Sequence, residues 1–350
     1  NRYHAGMIKD LKSLTWNELE QVAARYGQKS FVVRYLFTFI HQKNVADLEQ
    51  ITPLSKAFRA ALMEAGYSIS TLKLIETFED PDGTMKFVFE TADGNRLESV
   101  RLLDDQRNTL CISTQVGCRM GCLFCATGQL GYQRDLTSGE IADQVYQMQA
   151  KISKAQNIVY MGMGEPLDNY DATMRSVELL NHPDGQNIGI RHITISTCGL
   201  PEGIARLADE PLQPRLAISL HGPDDPTRQS LLKISKKVSM QELMSALRKY
   251  QDHTGRRITF EYCMIQNYND SPQQARQLAR LVKPLKGNVN LSEFNAFDGC
   301  DFVAASPAGI RQFAAILERE GIETVIRYKR GRSIRAACGQ LGADWLKPTT

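Results

Sequence analysis

The chain has 350 residues, of which 42% are hydrophobic and 23% are charged, and its net charge is +3. This is the composition of an ordinary soluble globular protein, and no run of about 18 apolar residues indicates a transmembrane helix. The mild positive charge does not by itself indicate nucleic-acid binding. The start, Asn1 to Ala5, lacks the apolar core of a signal peptide, and eight cysteines without an export signal favour a reducing, cytoplasmic compartment over a disulfide framework.

The first part of the chain predicts helices. Thr15 and Glu18 have the spacing of a capping box, and apolar residues follow them at helical intervals. Ser30 to Ile40 and Ser55 to Ala65 are two further helix candidates. We therefore expect a helical N-terminal accessory domain over residues 1–70.

Residues 72–104 change in character, because short alternating segments replace the helical periodicity. The turn signals Asp80-Pro-Asp-Gly and Ala92-Asp-Gly-Asn separate three such segments. They predict a three-stranded β-meander, which we assign to an extension over residues 71–105.

Three cysteines, Cys118, Cys122 and Cys125, follow with C-x3-C-x2-C spacing. Three thiolates can hold three irons of a 4Fe–4S cluster and leave the fourth iron open, whereas a ferredoxin closes its cluster with a fourth cysteine. With Phe124 before the last cysteine, the spacing resembles the signature of the radical S-adenosylmethionine (SAM) superfamily. The resemblance implies that the open iron chelates SAM, and that an electron from the cluster breaks a carbon–sulfur bond to release a 5′-deoxyadenosyl radical.

Two other readings of the cysteines stay open. A structural zinc site normally needs four ligands, usually as two separate C-x2-C pairs, and the chain has one such pair. The thiols could also be buried without any ligand, as free cysteines often are.

From Thr109 onward, strand and helix patterns alternate, which predicts a parallel sheet with helices outside it. About six strand–helix units follow the cysteines, so we expect an α/β fold with a partial (βα)6 barrel over residues 106–345 and a C-terminal tail over 346–350. In barrels of this kind, functional residues lie on loops at the carboxyl ends of the strands.

Polar residues follow several predicted strands at equivalent ends, and we predict that they bind a cofactor. Each alone is more often a turn residue or a strand-end polar residue, but together they favour one site. Gly164 and Glu165 follow the first strand in Gly162-Met-Gly-Glu-Pro, where the carboxylate suits an ammonium group. The others are Ser196, Ser219, Leu220, His221 and Asn295.

Longer motifs then become specific. They are Leu110-Cys-Ile-Ser-Thr-Gln-Val-Gly-Cys, Phe124-Cys-Ala-Thr-Gly, Met161-Gly-Met-Gly-Glu-Pro-Leu, Ile195-Ser-Thr-Cys-Gly, Ala217-Ile-Ser-Leu-His and Ala336-Ala-Cys-Gly-Gln-Leu. Over essentially the whole chain, they resemble the RlmN/Cfr family of radical SAM methyltransferases. Members of this family methylate an adenine carbon, C2 or C8, in RNA, so the resemblance implies a 4Fe–4S cluster and SAM as cofactors and rRNA or tRNA as substrate.

The resemblance also implies three catalytic residues. Cys338 matches a cysteine that one SAM methylates. A radical from a second SAM abstracts hydrogen from that methyl group, and the resulting methylene radical adds to adenine. Cys111 matches a cysteine that resolves the protein–RNA crosslink through a disulfide, and Glu98 matches a glutamate proposed to contact the base or to handle a proton. Without the resemblance, both cysteines could be packing or surface thiols, since thiol reactivity depends on surroundings. Cys198, Cys263 and Cys300 match no catalytic position.

Some loops depart from the family pattern. Lys233-Ile-Ser235 stands where relatives carry Pro-Ile-Asn, and Asn295-Ala-Phe297 stands where they carry Asn-Pro-Phe. A basic run, Arg327 to Arg335, lies just before Cys338 and could contact phosphates, although charge runs are usually solvated faces.

We therefore expect an RNA adenine methyltransferase, active as a monomer without a membrane partner and supplied by an external electron donor such as flavodoxin. The alternatives are the same methyl-cysteine chemistry on a substrate other than RNA, and a non-catalytic RNA-binding relative.

Overall fold

The structure is a computed structural model that describes residues 9–346. The predictions about the first residues and about most of the C-terminal tail therefore lie outside the described residues. No helix in the described part is long and apolar enough to cross a membrane.

The α-helices are Trp16–Arg25 (α1), Phe31–His41 (α2), Lys56–Glu64 (α3), Ala126–Leu130 (α4), Ser138–Gln149 (α5), Tyr170–Asn181 (α6), Pro201–Ala208 (α7), Asp225–Leu231 (α8), Met240–Thr254 (α9), Pro272–Val282 (α10) and Pro307–Arg319 (α11). The strands are Lys9–Asp10 (β1), Tyr67–Ser68 (β2), Lys73–Glu79 (β3), Met85–Glu90 (β4), Arg96–Asp104 (β5), Arg107–Cys111 (β6), Gln115–Gly117 (β7), Tyr132–Asp135 (β8), Asn157–Tyr160 (β9), Ile193–Thr197 (β10), Arg215–Ser219 (β11), Ile258–Met264 (β12), Gly287–Glu293 (β13) and Thr324–Arg327 (β14).

The N-terminal helices form where the local patterns predict them. The Thr15 backbone N–H donates to Glu18 Oε2 at 2.9 Å, which confirms the capping box at the start of α1. The apolar face of α1 is buried at Leu19, Val22 and Ala23. Each capping contact satisfies a backbone donor that a helix end leaves free, so a short polar signal fixes where the helix begins.

The helical region packs directly on the rest of the chain. The Lys12 ammonium lies 2.6 Å from Asp143 Oδ1 of α5, and both side chains are buried. The Leu72 backbone N–H donates to the other oxygen of that carboxylate at 2.6 Å. Removing one member of such a pair leaves a buried charge without a partner, so this contact ties the two regions together.

A single ten-stranded sheet forms the centre of the molecule, in the order β14-β13-β12-β11-β10-β9-β6-β5-β4-β3. Within this sheet, β6, β9, β10, β11, β12, β13 and β14 pair with one another in parallel, whereas β3, β4 and β5 form the antiparallel meander that the sequence predicts. Strands β7 and β8 form a separate antiparallel pair. Strand β5 pairs with β6, so the meander extends the edge of the parallel sheet. The sheet is therefore continuous across residue 105, where we draw a domain boundary from the sequence.

The α/β barrel prediction is confirmed. Six parallel strands follow the cysteines, and their apolar residues, such as Ile258, Phe260 and Tyr262 of β12, are buried. Because the strands are parallel, their carboxyl ends meet at one edge of the sheet. Helix α5 is not among the predicted helices, although Thr137 and Glu140 form a capping box at its start and apolar residues follow at helical spacing.

Candidate active site

An open cavity of about 180 Å³ lies at the carboxyl edge of the parallel strands. Ten of the thirteen predicted site residues line it, and they come from loops that are far apart in sequence. They are Cys118, Cys122, Cys125, Gly164, Glu165, Ser196, Ser219, His221, Asn295 and Cys338. The cavity thus brings the predicted metal ligands, the predicted cofactor residues and one predicted catalytic cysteine together.

The loop that carries the three cysteines runs from β7 to α4. Its start needs a glycine, because Gly117 has φ +73° and a Cβ there would lie 1.8 Å from the Gly131 carbonyl oxygen. The Cys118 N–H donates to that same oxygen at 3.0 Å, and the Leu123 N–H donates to the Leu231 carbonyl at 2.9 Å. Backbone contacts on both flanks therefore fix the loop before any ligand binds.

Apolar side chains cover this loop. Met120 and Phe124 belong to a buried cluster of their own, into which Leu231, Leu232 and Phe294 also pack. Cys118 and Cys122 lie against this cluster. An apolar cover restricts water around a metal site, and this restriction influences its reduction potential.

The cysteine loop can supply three thiolates to an iron–sulfur cluster. Within residues 9–346, no group of three or more Cys, His, Asp or Glu side chains is placed to hold a single metal ion. In a cubane cluster each thiolate binds a different iron, so its ligands need not converge on one point. Burial raises the pKa of all three thiols, and thiolate ligation is coupled to proton release when a metal binds.

Glu165 is held where a strand-end carboxylate is expected. It follows β9, and its two oxygens accept hydrogen bonds from the Leu167 N–H at 3.0 Å and the Cys198 N–H at 2.8 Å. Burial raises the pKa of its carboxyl group. Gly164 has φ +98°, and a Cβ there would lie 2.6 Å from Gln115 Cβ. This glycine is therefore required by packing within the protein as well as by any close approach of a cofactor.

His221 is a neutral imidazole in this site. The Cys263 N–H donates to its Nδ1 at 3.0 Å, which assigns the ring proton to Nε2. Burial, with a smaller contribution from the charge of Arg228, lowers the pKa of His221 to about 3. Phe124 packs edge-on against the ring with 4.8 Å between the centroids. His221 can therefore donate one hydrogen bond from Nε2 without carrying a charge.

Asn295 offers an acceptor that the protein does not satisfy. Its amide nitrogen donates to the Cys338 carbonyl at 3.1 Å, whereas its Oδ1 is buried without a partner. A buried polar atom without a hydrogen bond is unfavourable, and such atoms in native sites usually await a ligand or water. With Ser196 and Ser219 at the ends of β10 and β11, the cavity therefore suits a polar ligand such as SAM.

The segment that carries Cys338 is fixed beside the cysteine loop. The Ala126 N–H donates to the Gly339 carbonyl at 2.7 Å, and the Thr127 hydroxyl donates to the Leu341 carbonyl at 2.7 Å. Both donors belong to α4, directly after Cys125. The Cys338 side chain faces the open cavity and is solvent-exposed there. The segment is thus already in contact with the cysteine loop.

Cys111 lies at the end of β6, behind the cavity lining. Its thiol is buried, and its pKa is raised by burial and then by the nearby Cys338. All eight cysteines are free in the structure, so no disulfide is formed. A disulfide between Cys111 and Cys338 during turnover remains a prediction.

Two other predicted residues also lie outside the cavity lining. Glu98 is buried in β5, where one carboxylate oxygen accepts from the Gly342 N–H at 2.8 Å and the other lies 3.1 Å from Lys86 Nζ. Burial raises the pKa of this carboxyl group, and Lys86 opposes that effect. Through the Gly342 N–H, Glu98 therefore fixes the segment that follows Cys338 in the chain. The Leu220 side chain is buried in the core, so any contact with a cofactor would involve its backbone.

The cavity also contains residues that the sequence patterns above do not predict. Glu261 and Cys263 of β12 and Ser292 and Glu293 of β13 also line the cavity. The sequence could have identified these four residues, because the strand-end rule that selects Ser196 and Ser219 also applies to β12 and β13. Cys263, expected to be a core or surface thiol, instead shares the cavity with Cys338.

Known proteins resemble this chain over nearly its whole length. Residues 112–279 match the model of the radical SAM superfamily, and residues 9–67 match that of the ribosomal RNA large subunit methyltransferase N-terminal domain. The chain is 42% identical over 339 residues to a probable dual-specificity RNA methyltransferase RlmN of Thermoanaerobacter sp. (strain X514), covering 97% of this chain and 99% of that protein. It is 44% identical over 336 residues to the protein of the same name from Thermotoga neapolitana, covering 95% and 97%. The crystal structure of a radical SAM methyltransferase from Sphaerobacter thermophilus superposes with a TM-score of 0.89 at 41% identity, covering 96% of this chain and 99% of that one.

Proposed function

The chain belongs to the RlmN family of radical SAM RNA methyltransferases, and we propose that it methylates C2 or C8 of adenine in rRNA, tRNA or both through a methylated Cys338. The observation that carries this proposal is the shared cavity. The three half-buried cysteines of one loop and the Cys338 side chain line the same space.

The chemistry explains why such a cavity is needed. An aromatic C–H of adenine is a poor nucleophile, so direct transfer of a methyl group from SAM would fail and a cofactor must carry the difficult step. The 4Fe–4S cluster, when bound to Cys118, Cys122 and Cys125, supplies the electron that cleaves SAM. Cys338 accepts a methyl group on its sulfur, as a protein nucleophile that forms a covalent intermediate.

The remaining site residues position the reactants in this proposal. Glu165 and Asn295 would bind polar groups of SAM, together with Gly164, Ser196, Ser219, Leu220 and His221. Asn295 also bonds to the Cys338 carbonyl, so it joins the cofactor region to the methyl carrier. Cys111 would release the product by forming a disulfide with Cys338, and its position beside that thiol supports the role. Glu98 would act near the base or through its contact with Gly342.

The electron donor is an external acidic carrier such as flavodoxin in this proposal. Lys233, Lys236 and Lys237 are exposed and make no ion pair within the described part of the chain. A Cβ at Gly121 would lie 2.9 Å from Lys233 Cδ, so Lys233 covers the cysteine loop next to Cys122. These lysines form a cationic surface directly outside the predicted cluster.

The basic run before Cys338 is less available for phosphates than its sequence implies. Arg327, Lys329, Arg330 and Arg335 each lie within ion-pair distance of a carboxylate. These pairs are near the surface, so RNA phosphates could replace them at small cost. We propose that the run contacts RNA in this way, and that the enzyme acts as a cytoplasmic monomer with a helical domain, a meander and a barrel as divided above.

The direct test is mass spectrometry of adenosines from rRNA and tRNA, in cells with and without the gene. We expect one methyladenosine to disappear when the gene is deleted and to return when it is supplied on a plasmid. A complete and unchanged set of methyladenosines in the deletion strain would contradict RNA methylation and favour a different substrate.

A further inference from the structure

Arg228 is a buried cation without a charged partner. It lies in α8 and is 1% exposed. Its Nε donates to the Leu220 carbonyl at 3.0 Å and its Nη2 donates to the Cys198 carbonyl at 2.9 Å. Both acceptors are neutral, and the third nitrogen, Nη1, is buried with no hydrogen bond. The guanidinium is therefore held in place by two carbonyls that do not balance its charge.

Asp225 on the same helix acts on the guanidinium through its charge, but the two groups form no ion pair. No acidic side chain in residues 9–346 lies within ion-pair distance of Arg228, and Asp225 on the same helix accepts from the Met240 N–H at 2.7 Å. Nearby His221 is neutral. A guanidinium stays charged in proteins, so Arg228 cannot become neutral by losing a proton. A buried charge without a partner is strongly unfavourable, and the site therefore calls for an anion.

The cysteine loop lies next to this cation. The Leu123 N–H donates to the carbonyl of Leu231, the last residue of α8, at 2.9 Å. The Cys198 carbonyl that accepts from Arg228 Nη2 belongs to a residue that lines the same cavity as Cys118, Cys122 and Cys125. Cys198 is also near, but burial raises its pKa, so it remains a neutral thiol. When a cluster is bound, the cysteine loop beside α8 would carry negative charge near this guanidinium.

We propose that Arg228 is the counter-ion of the iron–sulfur cluster and raises its reduction potential. This inference rests on the proposed function, because it needs a cluster on Cys118, Cys122 and Cys125. With three thiolates, an oxidised 4Fe–4S core carries one net negative charge, and one electron from the external donor brings it to two. A fixed cation stabilises the more negative reduced state more strongly, so the electron is easier to accept.

The test measures the potential itself. Wild type, Arg228→Lys, Arg228→Met and Arg228→Gln are reconstituted anaerobically with iron and sulfide, and the reduced cluster is followed by electron paramagnetic resonance during a redox titration without SAM or RNA. We expect the reduction equilibrium constant to fall about tenfold in the two neutral variants, a shift of about 59 mV for one electron. Arg228→Lys keeps the charge and should remain closer to wild type.

Arg59→Met is the matched control. Arg59 is also buried and has an Nε without a partner, but it lies in α3 of the helical domain. Its removal should leave the potential unchanged. A wild-type potential in both neutral Arg228 variants would overturn the inference, whereas a wild-type protein that takes up no cluster would contradict the proposed function as well.

Thermal unfolding separates an electrostatic role from a structural one. Metal-free Arg228→Met loses two hydrogen bonds but also removes an unbalanced charge, so we expect a Tm close to that of metal-free wild type. Loading with the cluster should raise the Tm less in the variant than in wild type, because the favourable charge pair is missing. If Arg228→Met lowers the Tm by the same amount in metal-free and in cluster-loaded protein, Arg228 only stabilises the position of α8 and the inference is wrong.

Discussion

The cysteine loop and the segment that carries Cys338 are anchored by different forces. The cysteine loop is held by backbone hydrogen bonds to Gly131 and Leu231 and is covered by apolar side chains. Two carbonyls of the Cys338 segment accept hydrogen bonds from donors on α4, but much of the segment's remaining anchorage involves side chains such as Asn295 and Glu98. One segment is built to keep three thiolates still, and the other is held by contacts that single substitutions can release. Metal binding and methyl transfer should therefore be separable.

The largest separation should come from the cysteines themselves. We expect alanine at Cys118, Cys122 or Cys125 to abolish the brown cluster and all SAM cleavage, because three thiolates are the minimum for a cluster with one open iron. Cys338→Ala should keep iron, sulfide and reductive SAM cleavage but lose RNA methylation. Iron and sulfide assays with anaerobic SAM cleavage measure this. Full iron content in a triple cysteine variant would refute the assignment.

Cys111→Ala should stall turnover while leaving substrate binding intact. If Cys111 resolves a covalent intermediate, its removal should trap the protein attached through Cys338 to its substrate. Denaturing gels followed by nuclease digestion and mass spectrometry would identify that substrate. A modified adenine nucleotide supports RNA methylation, and a peptide or metabolite supports the alternative substrate class. Normal turnover without an adduct would mean that Cys111 is a packing thiol.

A single variant and a double variant test the polar anchorage of the Cys338 segment. Lys86 bridges Glu98 at 3.1 Å and Asp344 at 2.8 Å, and both Lys86 and Glu98 are buried. Lys86→Met leaves the Glu98 carboxylate without its cation, and we expect a loss of about 3–5 kcal/mol in the free energy of unfolding. Lys86→Met with Glu98→Gln should recover at least half of that loss, because the unpaired charge is gone.

Hydrogen exchange gives these variants a local readout. Amides of residues 335–343 should exchange faster in Lys86→Met, while those of the cysteine loop should remain protected in the cluster-loaded protein. Equal loosening of both segments would contradict the separate anchorage described here.

The features that the sequence predicts correctly are those that local chemistry decides. The capping box at Thr15 and Glu18 needs only its own few residues, and the strand-end rule gathers most of the site because parallel strands share one edge. Other features depend on contacts between distant segments. Nothing local indicates that Glu98 meets Gly342 or that the meander joins the barrel through β5 and β6.

The same distinction applies to charge. In the sequence, the run from Arg327 to Arg335 resembles the better phosphate-binding surface, but acidic residues from distant strands and loops neutralise much of it. In the sequence, Lys233 is a departure from the family pattern, and its position over the cysteine loop becomes visible in the fold. Where a charge lies relative to its partners is set by the fold and cannot be read from composition.

The smallest expected effect concerns this lysine surface. Charge reversal at Lys233, Lys236 and Lys237 should slow cluster reduction by an acidic protein carrier several-fold at low salt, with a smaller difference at high salt, because electrostatic steering acts mainly on association rates. Stopped-flow absorbance measures the rate, and reduction by a small cationic viologen serves as the control. If RNA binding falls and the carrier rate does not, the surface serves RNA instead.

The central claim is that Cys338 carries the methyl group, and mass spectrometry of its peptide tests this claim most directly. The protein is purified anaerobically from cells that assemble the cluster, then digested. The account predicts an added methyl group on the Cys338 peptide of wild type and its absence in the Cys118→Ala variant. An unmodified Cys338 in freshly prepared, cluster-replete wild-type enzyme would contradict the mechanism.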